Sequence, residues 1–321
     1  MKAIFLNKKG GAESLIAGEI LQPVPNAGQV LVKVHATAIM PAELQWAPTF
    51  QNQSGVPRPF PIVLGHEFSG VIENSGLNAA SFHSGEEVFG LNDWFTNGAQ
   101  AEYCVVDEAS VARKPKSLSH AEAAVVPISA LTAWQALFEK ANLQRGHRVL
   151  IHGAAGNVGM FAVQLARWRG AYVIATESAA NLDFVRSLGA DQAIDYRTTR
   201  FENVICDVEV VLDPVGGETL DRSWKVLKPG GTIVTVATSS ALRSEPRVRD
   251  AFIIVRADGP QLEQIAWLID AGELRVVVEQ TFQLGDARDA YARAVQGGLR
   301  GKVALRVAEC APAKMSTVGD N

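Results

Sequence analysis

The chain is poor in the residues that build disulfide frameworks or hold polyanions. Its three cysteines, Cys104, Cys206 and Cys310, are scattered, and none forms a Cys-x-x-Cys pair. That spacing excludes a disulfide-stapled scaffold and a cysteine-rich metal module, and it suits a reducing compartment. Basic residues number 30 against 34 acidic ones, a formal net charge of −4. No basic excess is present to release counterions, so no nucleic-acid partner is expected. No apolar run reaches the roughly 18 residues needed to span a bilayer, so no membrane partner is expected either. The first residues, MKAIFLNKKGG, lack an apolar segment of signal-peptide length, and the expected location is cytoplasmic. Internal repeats are absent, which excludes solenoids and propellers.

What is present is ordinary globular material. Hydrophobic residues make up 47% of 321 residues and charged residues 20%, enough for a sizeable core and two domains of usual size. The first hundred residues read as short strands, at Val30–Val34, Val63–Ile72 and Glu87–Phe89, separated by clusters of Pro and Gly such as Gly55, Pro57, Pro59 and Pro61. From Ser119 the texture changes. Ser119 and Glu122 match a capping box, and a helical stretch follows, interrupted at Pro127 and resuming over Leu131–Lys140. Apolar strands and amphipathic helices then alternate. Strands fall at Arg148–Ile151, Tyr172–Ala175, Val208–Leu212 and Thr232–Ala237, and helices at Val158–Arg169, Ala180–Leu188 and Thr219–Leu227. Such alternation predicts a parallel sheet with helices on both faces. A helix at Gly259–Ala271, a strand at Val276–Val278, a helix at Ala287–Val295 and a strand at Lys302–Val307 close the pattern.

The chemistry concentrates at Gly153–Gly159. An apolar strand runs into this glycine turn, and a long helix follows. That order lets backbone N–H groups and the positive end of a helix dipole meet a pyrophosphate. Aligned from its last glycine, the dinucleotide fingerprint falls on Ala154, Gly156 and Gly159, with Ala155, Asn157 and Val158 completing the cradle. Glu177 ends the next strand about 20 residues on, where a carboxylate accepts the adenosine ribose hydroxyls of NAD and repels the 2′-phosphate of NADP. The implied cofactor is NAD(H) or NADP(H), leaning to NAD(H).

The stretch HGAAGNVGMFAVQLARWRGAYVIAT resembles the medium-chain dehydrogenase/reductase superfamily, and within it the zinc-independent quinone oxidoreductase branch. Pro127–Leu137, Phe184–Asp195, Val211–Gly217 and Leu299–Val303 are similar too. The resemblance spans residues 1 to about 307. It implies an α/β architecture: a GroES-like β-rich catalytic domain (1–120 and 272–321) and a Rossmann doubly wound parallel-sheet domain (121–271), with the active site between them. It also implies a homodimer.

The resemblance further suggests Thr176, Ser178 and Asn181 near the ribose and Tyr196 near the adenosine. It places Val236, Ala237 and Thr238, with Val255–Ala257, beside the nicotinamide, and brings Arg300 and Lys302 back to the cleft. On the substrate side it points to Met40, Glu43, Trp46, His66, Trp94, Phe95 and Thr132. Gly65-His66-Glu67 matches the motif that supplies a histidine ligand in zinc alcohol dehydrogenases. The other ligand positions fall on Met40 and near Ile128, and Asn92–Glu102 lacks the four-cysteine structural loop. Three protein ligands are required of a catalytic zinc, so no metal is expected.

Without a metal to stabilise an alkoxide, the expected reaction is hydride transfer to a quinone or to the activated C=C bond of an α,β-unsaturated carbonyl. Two alternatives stay open: a zinc-type alcohol or polyol dehydrogenase, and a non-catalytic dinucleotide-binding redox sensor. An enoyl reductase of specialised metabolism is not separable from the main reading.

Overall fold

The computed structural model describes residues 1–241 and 244–307, so Cys310 and the rest of 308–321 lie outside it. In the N-terminal part, β1 (Lys2–Leu6) pairs antiparallel with β2 (Leu15–Glu19) and with β4 (Ile62–Val63). A second antiparallel group is built on β3 (Gln29–Ala38), which pairs with β5 (Glu67–Ser75) and β7 (Tyr103–Asp107). Beyond β5 lie β6 (Glu87–Leu91) and β8 (Val111–Arg113). Short strands separated by turn residues follow the Pro and Gly punctuation of this region.

A helical hinge leads into the second part. The capping box forms as the sequence predicts: Ser119 receives the Glu122 amide, and the Glu122 carboxylate receives the Ser119 amide at 2.9 Å. Pro127 opens rather than interrupts a helix, α1 (Pro127–Trp134), because proline at the first position loses no helical hydrogen bond. The expected continuation to Lys140 is a π-helical segment, Gln135–Lys140.

The second part is a five-stranded parallel sheet. Its strands are β9 (Arg148–His152), β10 (Tyr172–Glu177), β11 (Gln192–Asp195), β12 (Val208–Asp213) and β13 (Leu227–Thr235), in the order β11-β10-β9-β12-β13. Helices α2 (Asn157–Trp168), α3 (Leu182–Ser187), α4 (Gly217–Ser223), α5 (Pro246–Ala251) and α6 (Gly259–Asp270) alternate with and follow these strands. Strands β9, β10 and β12 are buried along nearly their whole length, as a sheet covered on both faces requires. The order reverses between β9 and β12. This switch point is where ligands of doubly wound sheets bind, outside the carboxyl ends of the strands.

The chain then returns. Strands β14 (Val278–Gln283) and β15 (Lys302–Arg306) flank α7 (Ala287–Val295), and β15 pairs antiparallel with β3 of the N-terminal sheet. Two expectations shift. The strand predicted at Val276–Val278 begins at Val278, and β11 was not anticipated. Both are half-exposed edge strands, where the apolar pattern is weak. Among the described residues no helix is long and apolar enough to cross a membrane.

Two histidine sites are locked inside this frame. The Ser223 hydroxyl donates to the Thr219 carbonyl at 2.7 Å, so His152 Nε2 donates to Ser223 Oγ at 2.9 Å. His152 Nδ1 then accepts from Thr176 Oγ1 at 2.8 Å, and the ring is neutral. Burial, aided by the Arg222 charge, pushes His152 down from 6.5 to about 3. Burial and the neighbouring His35 ring push His120 down to about 4. The unfolded chain therefore binds more protons than the folded one as pH falls below 6.5, and stability drops in that window. Each such histidine contributes a slope of about 1.4 kcal/mol per pH unit. Urea unfolding of wild type and His152→Gln at pH 7 and pH 5 should show their stability difference shrinking towards the lower pH. An unchanged difference would mean that His152 titrates in the native protein as it does in a free peptide.

Candidate active site

The glycine turn leaves β9 and enters α2. Gly153 has φ +54°, a left-handed conformation in which a side chain is strained. Gly159 is excluded from substitution for a different reason: a Cβ there would lie 2.3 Å from the Gly153 carbonyl oxygen. The helix therefore packs on the turn at backbone contact. Gly156 caps α2 without a side-chain hydrogen bond, so the first-turn amides at Asn157, Val158 and Gly159 are not closed off by a capping side chain. Ala154 and Ala155 are buried; the Ala154 amide is bonded to the Thr176 carbonyl at 3.3 Å. Small residues, open amides and a 12-residue helix make a cradle that fits a dinucleotide pyrophosphate.

Glu177 stands at the rim of that cradle. Its carboxylate accepts from the Ala155 amide at 3.1 Å and from the Ser178 amide at 2.9 Å. Two backbone donors hold it in place, with acceptor capacity left for ribose hydroxyls. Tyr196 is exposed nearby at the end of β11, and Glu177 adds to the charge environment of Arg197. Asn181 is buried, and its side-chain oxygen receives Arg300 Nε at 2.8 Å. Arg300 also donates to the Ala180 carbonyl at 2.8 Å, so the C-terminal segment clasps the parallel-sheet part beside Glu177. Thr176, expected near the ribose, is turned the other way. Its hydroxyl is spent on His152 beneath the sheet end.

Across the switch point, Asp213 ends β12. It is fully buried and accepts from the Val215 and Gly216 amides, both at 3.0 Å, and from the Thr235 hydroxyl at 3.2 Å. Burial raises its pKa while these donors oppose the shift. Asp213 thereby shapes the Pro214–Gly217 loop that faces Gly153. Its signal in the sequence was an acid closing an apolar strand just before a Pro-Val-Gly-Gly turn. Val236 donates its amide to the Asp213 carbonyl at 3.1 Å, and Ala237 is buried beside it. The side chain of Thr238 lies outside the described residues.

On the other wall, the turn Pro41–Leu44 places Glu43 inward. Glu43 is wholly buried, so it does not line the cleft as expected but lies behind it. Its carboxylate accepts from the Gly65 amide at 2.7 Å and the His66 amide at 3.3 Å, and His66 Nδ1 lies 3.2 Å away. Burial alone would raise the Glu43 pKa; His66 and the two amides outweigh it and lower it. His66 Nε2 lies 3.3 Å from the Thr96 carbonyl, on an exposed loop. Trp94 lies over His66 with ring centroids 5.1 Å apart, and Trp46 meets Trp94 edge-on at 4.8 Å. Trp94 Nε1 donates to the Val255 carbonyl at 3.0 Å, which joins this wall to the segment expected beside the nicotinamide. Met40, Trp46 and Phe95 are half-buried against the same apolar cluster. Thr132 is buried, and its hydroxyl bonds back to the Ile128 carbonyl at 2.5 Å.

Lys302 differs most from its expected place. Its ammonium is buried and paired with Glu67 Oε1, so it is committed inward instead of to a cofactor phosphate. Glu67 Oε2 accepts the Ile128 amide of α1 at 2.9 Å. Burial raises the Glu67 pKa against the pull of Lys302.

The donor set does not fit a catalytic zinc. His66 has both nitrogens against protein acceptors, Glu67 is bound to Lys302, and thioether and alkyl groups stand at Met40 and Ile128. Among the described residues no three His, Cys, Asp or Glu side chains converge.

Known proteins share this fold. A family model described as an alcohol dehydrogenase GroES-like domain matches residues 26–116, and one described as a zinc-binding dehydrogenase matches residues 188–305. The chain is 33% identical to a mitochondrial NAD(P)H oxidoreductase of Homo sapiens, across 96% of this chain and 89% of the relative. It is 33% identical to a 2-methylene-furan-3-one reductase of Solanum lycopersicum, across 95% of this chain and 79% of the relative. A solved structure of a quinone oxidoreductase from Coxiella burnetii superposes with a TM-score of 0.87 at 30% identity, covering 96% of this chain and 99% of that one.

The buried Glu67–Lys302 pair yields a mutational expectation. Lys302→Met leaves a buried carboxylate uncompensated and should cost about 3–5 kcal/mol in urea unfolding. The double variant Glu67→Gln/Lys302→Met should be more stable than Lys302→Met alone. Equal stabilities for the single and double variants would show that Glu67 is not charged in the wild-type fold.

Proposed function

The chain belongs to the medium-chain dehydrogenase/reductase superfamily, in its quinone-oxidoreductase-like branch, and from that membership we propose a zinc-independent, NAD(P)H-dependent reductase of quinones or of α,β-unsaturated carbonyls. The observation that carries the proposal is the wall around His66. It is aromatic and apolar, from Met40, Trp46 and Trp94, and its one histidine is buried with Nε2 against the Thr96 carbonyl and Nδ1 beside Glu43. Such a wall suits a flat conjugated substrate and has no ligand set for a metal.

The bound dinucleotide would supply the hydride. The protein's part is to hold and orient. Gly156–Gly159 receives the pyrophosphate, Glu177 the adenosine ribose, and the Trp94–Val255 link sets the spacing of the two walls. A conjugated acceptor spreads the developing negative charge, so a few donors can replace a Lewis acid. Simple alcohols give no such delocalisation and depend on the metal. The tomato relative's name, a 2-methylene-furan-3-one reductase, supports the enone half of this reading.

Glu177 favours NADH. At about 4 Å and an effective dielectric near 20, a carboxylate repels a 2′-phosphate by up to roughly 4 kcal/mol per unit charge, less after screening. Oxidation of NADH and NADPH should be followed with one 1,4-quinone and one enone, beside metal analysis of the purified protein. We expect turnover of at least one acceptor, zinc well below one per chain, and a preference for NADH. Glu177→Ala should move that preference towards NADPH by on the order of tenfold. Stoichiometric zinc together with alcohol oxidation would overturn the proposal. An unchanged cofactor ratio in Glu177→Ala would remove Glu177 from the adenosine pocket.

A further inference from the structure

We propose that Arg58 is a positioning residue for the acceptor substrate. Its guanidinium staples the hairpin that follows Trp46 to the loop that carries Trp94, and so fixes the two indoles as one binding face. The proposal rests on the reductase reading above and goes further by naming what holds the acceptor's wall in shape.

The two tryptophans come from separate loops. Trp46 precedes the short helical turn Ala47–Phe50, and Trp94 follows β6. The Trp94 loop sits at the carboxyl edge of the parallel sheet. There the Ile253 amide donates to the Thr235 carbonyl at the end of β13, and the Val255 carbonyl two residues on receives the Trp94 indole N–H. Ligands of doubly wound sheets bind outside that edge. Trp46 is half-buried and meets Trp94 at 4.8 Å, with the ring planes 70° apart. One such aromatic contact is worth no more than the entropy lost on fixing the backbone of a single residue. Something else must hold the Trp46 segment in place.

The segment after Trp46 offers little apolar burial, since residues 51–57 are all exposed. Gln51 pairs with Pro57, and the Asn52 amide donates to the Val56 carbonyl at 2.8 Å. Asn52 Oδ1 accepts the Ser54 and Val56 amides, both at 3.0 Å. These bonds close the hairpin on itself. Arg58 ties it down. Its backbone amide donates to the Phe50 carbonyl at 2.9 Å, and one guanidinium N–H donates to the Thr49 carbonyl at 2.9 Å. Another guanidinium N–H donates to Asn97 Oδ1 at 2.8 Å, three residues beyond Trp94. Asn97 is a firm anchor: its side-chain oxygen also accepts the Val63 amide at 3.2 Å, and its carbonyl accepts from Asn92 Nδ2 at 3.4 Å. Asp93, beside Trp94, adds an attractive charge. A planar guanidinium reaches two acceptors in fixed directions at once, a fork that a lysine ammonium does not reproduce.

Two measurements on the full chain test this. Hydrogen exchange, read by mass spectrometry without cofactor or acceptor, should be faster over residues 49–60 in Arg58→Met and in Arg58→Lys than in the wild type. Peptides of the parallel sheet should keep their wild-type exchange. In turnover with NADH and a 1,4-quinone, both variants should raise the KM for the quinone about tenfold, as expected when a preorganised face is loosened. Their kcat and their KM for NADH should stay at wild-type values, because the lost interaction binds acceptor and transition state alike. Unchanged exchange over residues 49–60 in Arg58→Met overturns the staple, whatever the activity. Wild-type behaviour of Arg58→Lys in both measurements overturns the two-acceptor fork. Faster exchange with an unchanged quinone KM sinks the positioning role alone. A wild type inactive towards both quinone and enone sinks the reductase reading, and the acceptor role of Arg58 with it.

Discussion

The buried ion pair between Glu67 and Lys302 joins three distant parts of the chain. Glu67 begins β5, Lys302 begins β15, and the second Glu67 oxygen receives the first free amide of α1, that of Ile128. Removed from water, a carboxylate is tolerated only where a cation and hydrogen-bond donors complete its shell. The returning C-terminal strand is therefore held on the N-terminal sheet by charge as well as by its ladder to β3. The helix leading to the dinucleotide sheet is tied to the same point. The neighbouring His66 inherits its place from that junction, since it precedes Glu67 at the start of β5.

A second level of order follows around Glu43. Glu43 gathers the Gly65 and His66 amides and the His66 ring, which fixes the loop entering β5. Trp94 then packs on the ring and reaches Val255 on the opposite wall. That one hydrogen bond ties the loop after β6 to the segment ahead of α6. On the cofactor side the logic is backbone geometry: Gly153 turns left-handed, Gly159 lets helix and turn touch, and Glu177 is held on the turn's own amide. Arg300 closes the far end by spanning to Asn181 and Ala180.

Much of this architecture was legible in the residues. The alternation of apolar strands and amphipathic helices from Arg148 to Thr235 dictates a parallel sheet, because strands covered on both faces must be apolar throughout. The capping box at Ser119 and the turn at Gly153–Gly159 are local, with all their partners within a few residues, so pattern alone reveals them. Edge strands such as β11 escaped because one face meets water and its apolar pattern fades.

Side-chain destinations were of another kind. Glu43, Thr176 and Lys302 read equally well as cleft residues, and the fold turned each inward to a partner instead. Lys302 meets Glu67 across 235 positions of chain, and Arg300 meets Asn181 across 119. No spacing rule encodes such meetings. The sequence by itself determined the sheet, the glycine cradle and the acid at Glu177, since each depends on residue type and local periodicity. Only the tertiary structure decided which polar groups face the cleft and which satisfy one another beneath it, because burial forces every charge and hydroxyl to find whichever partner the packing brings within reach.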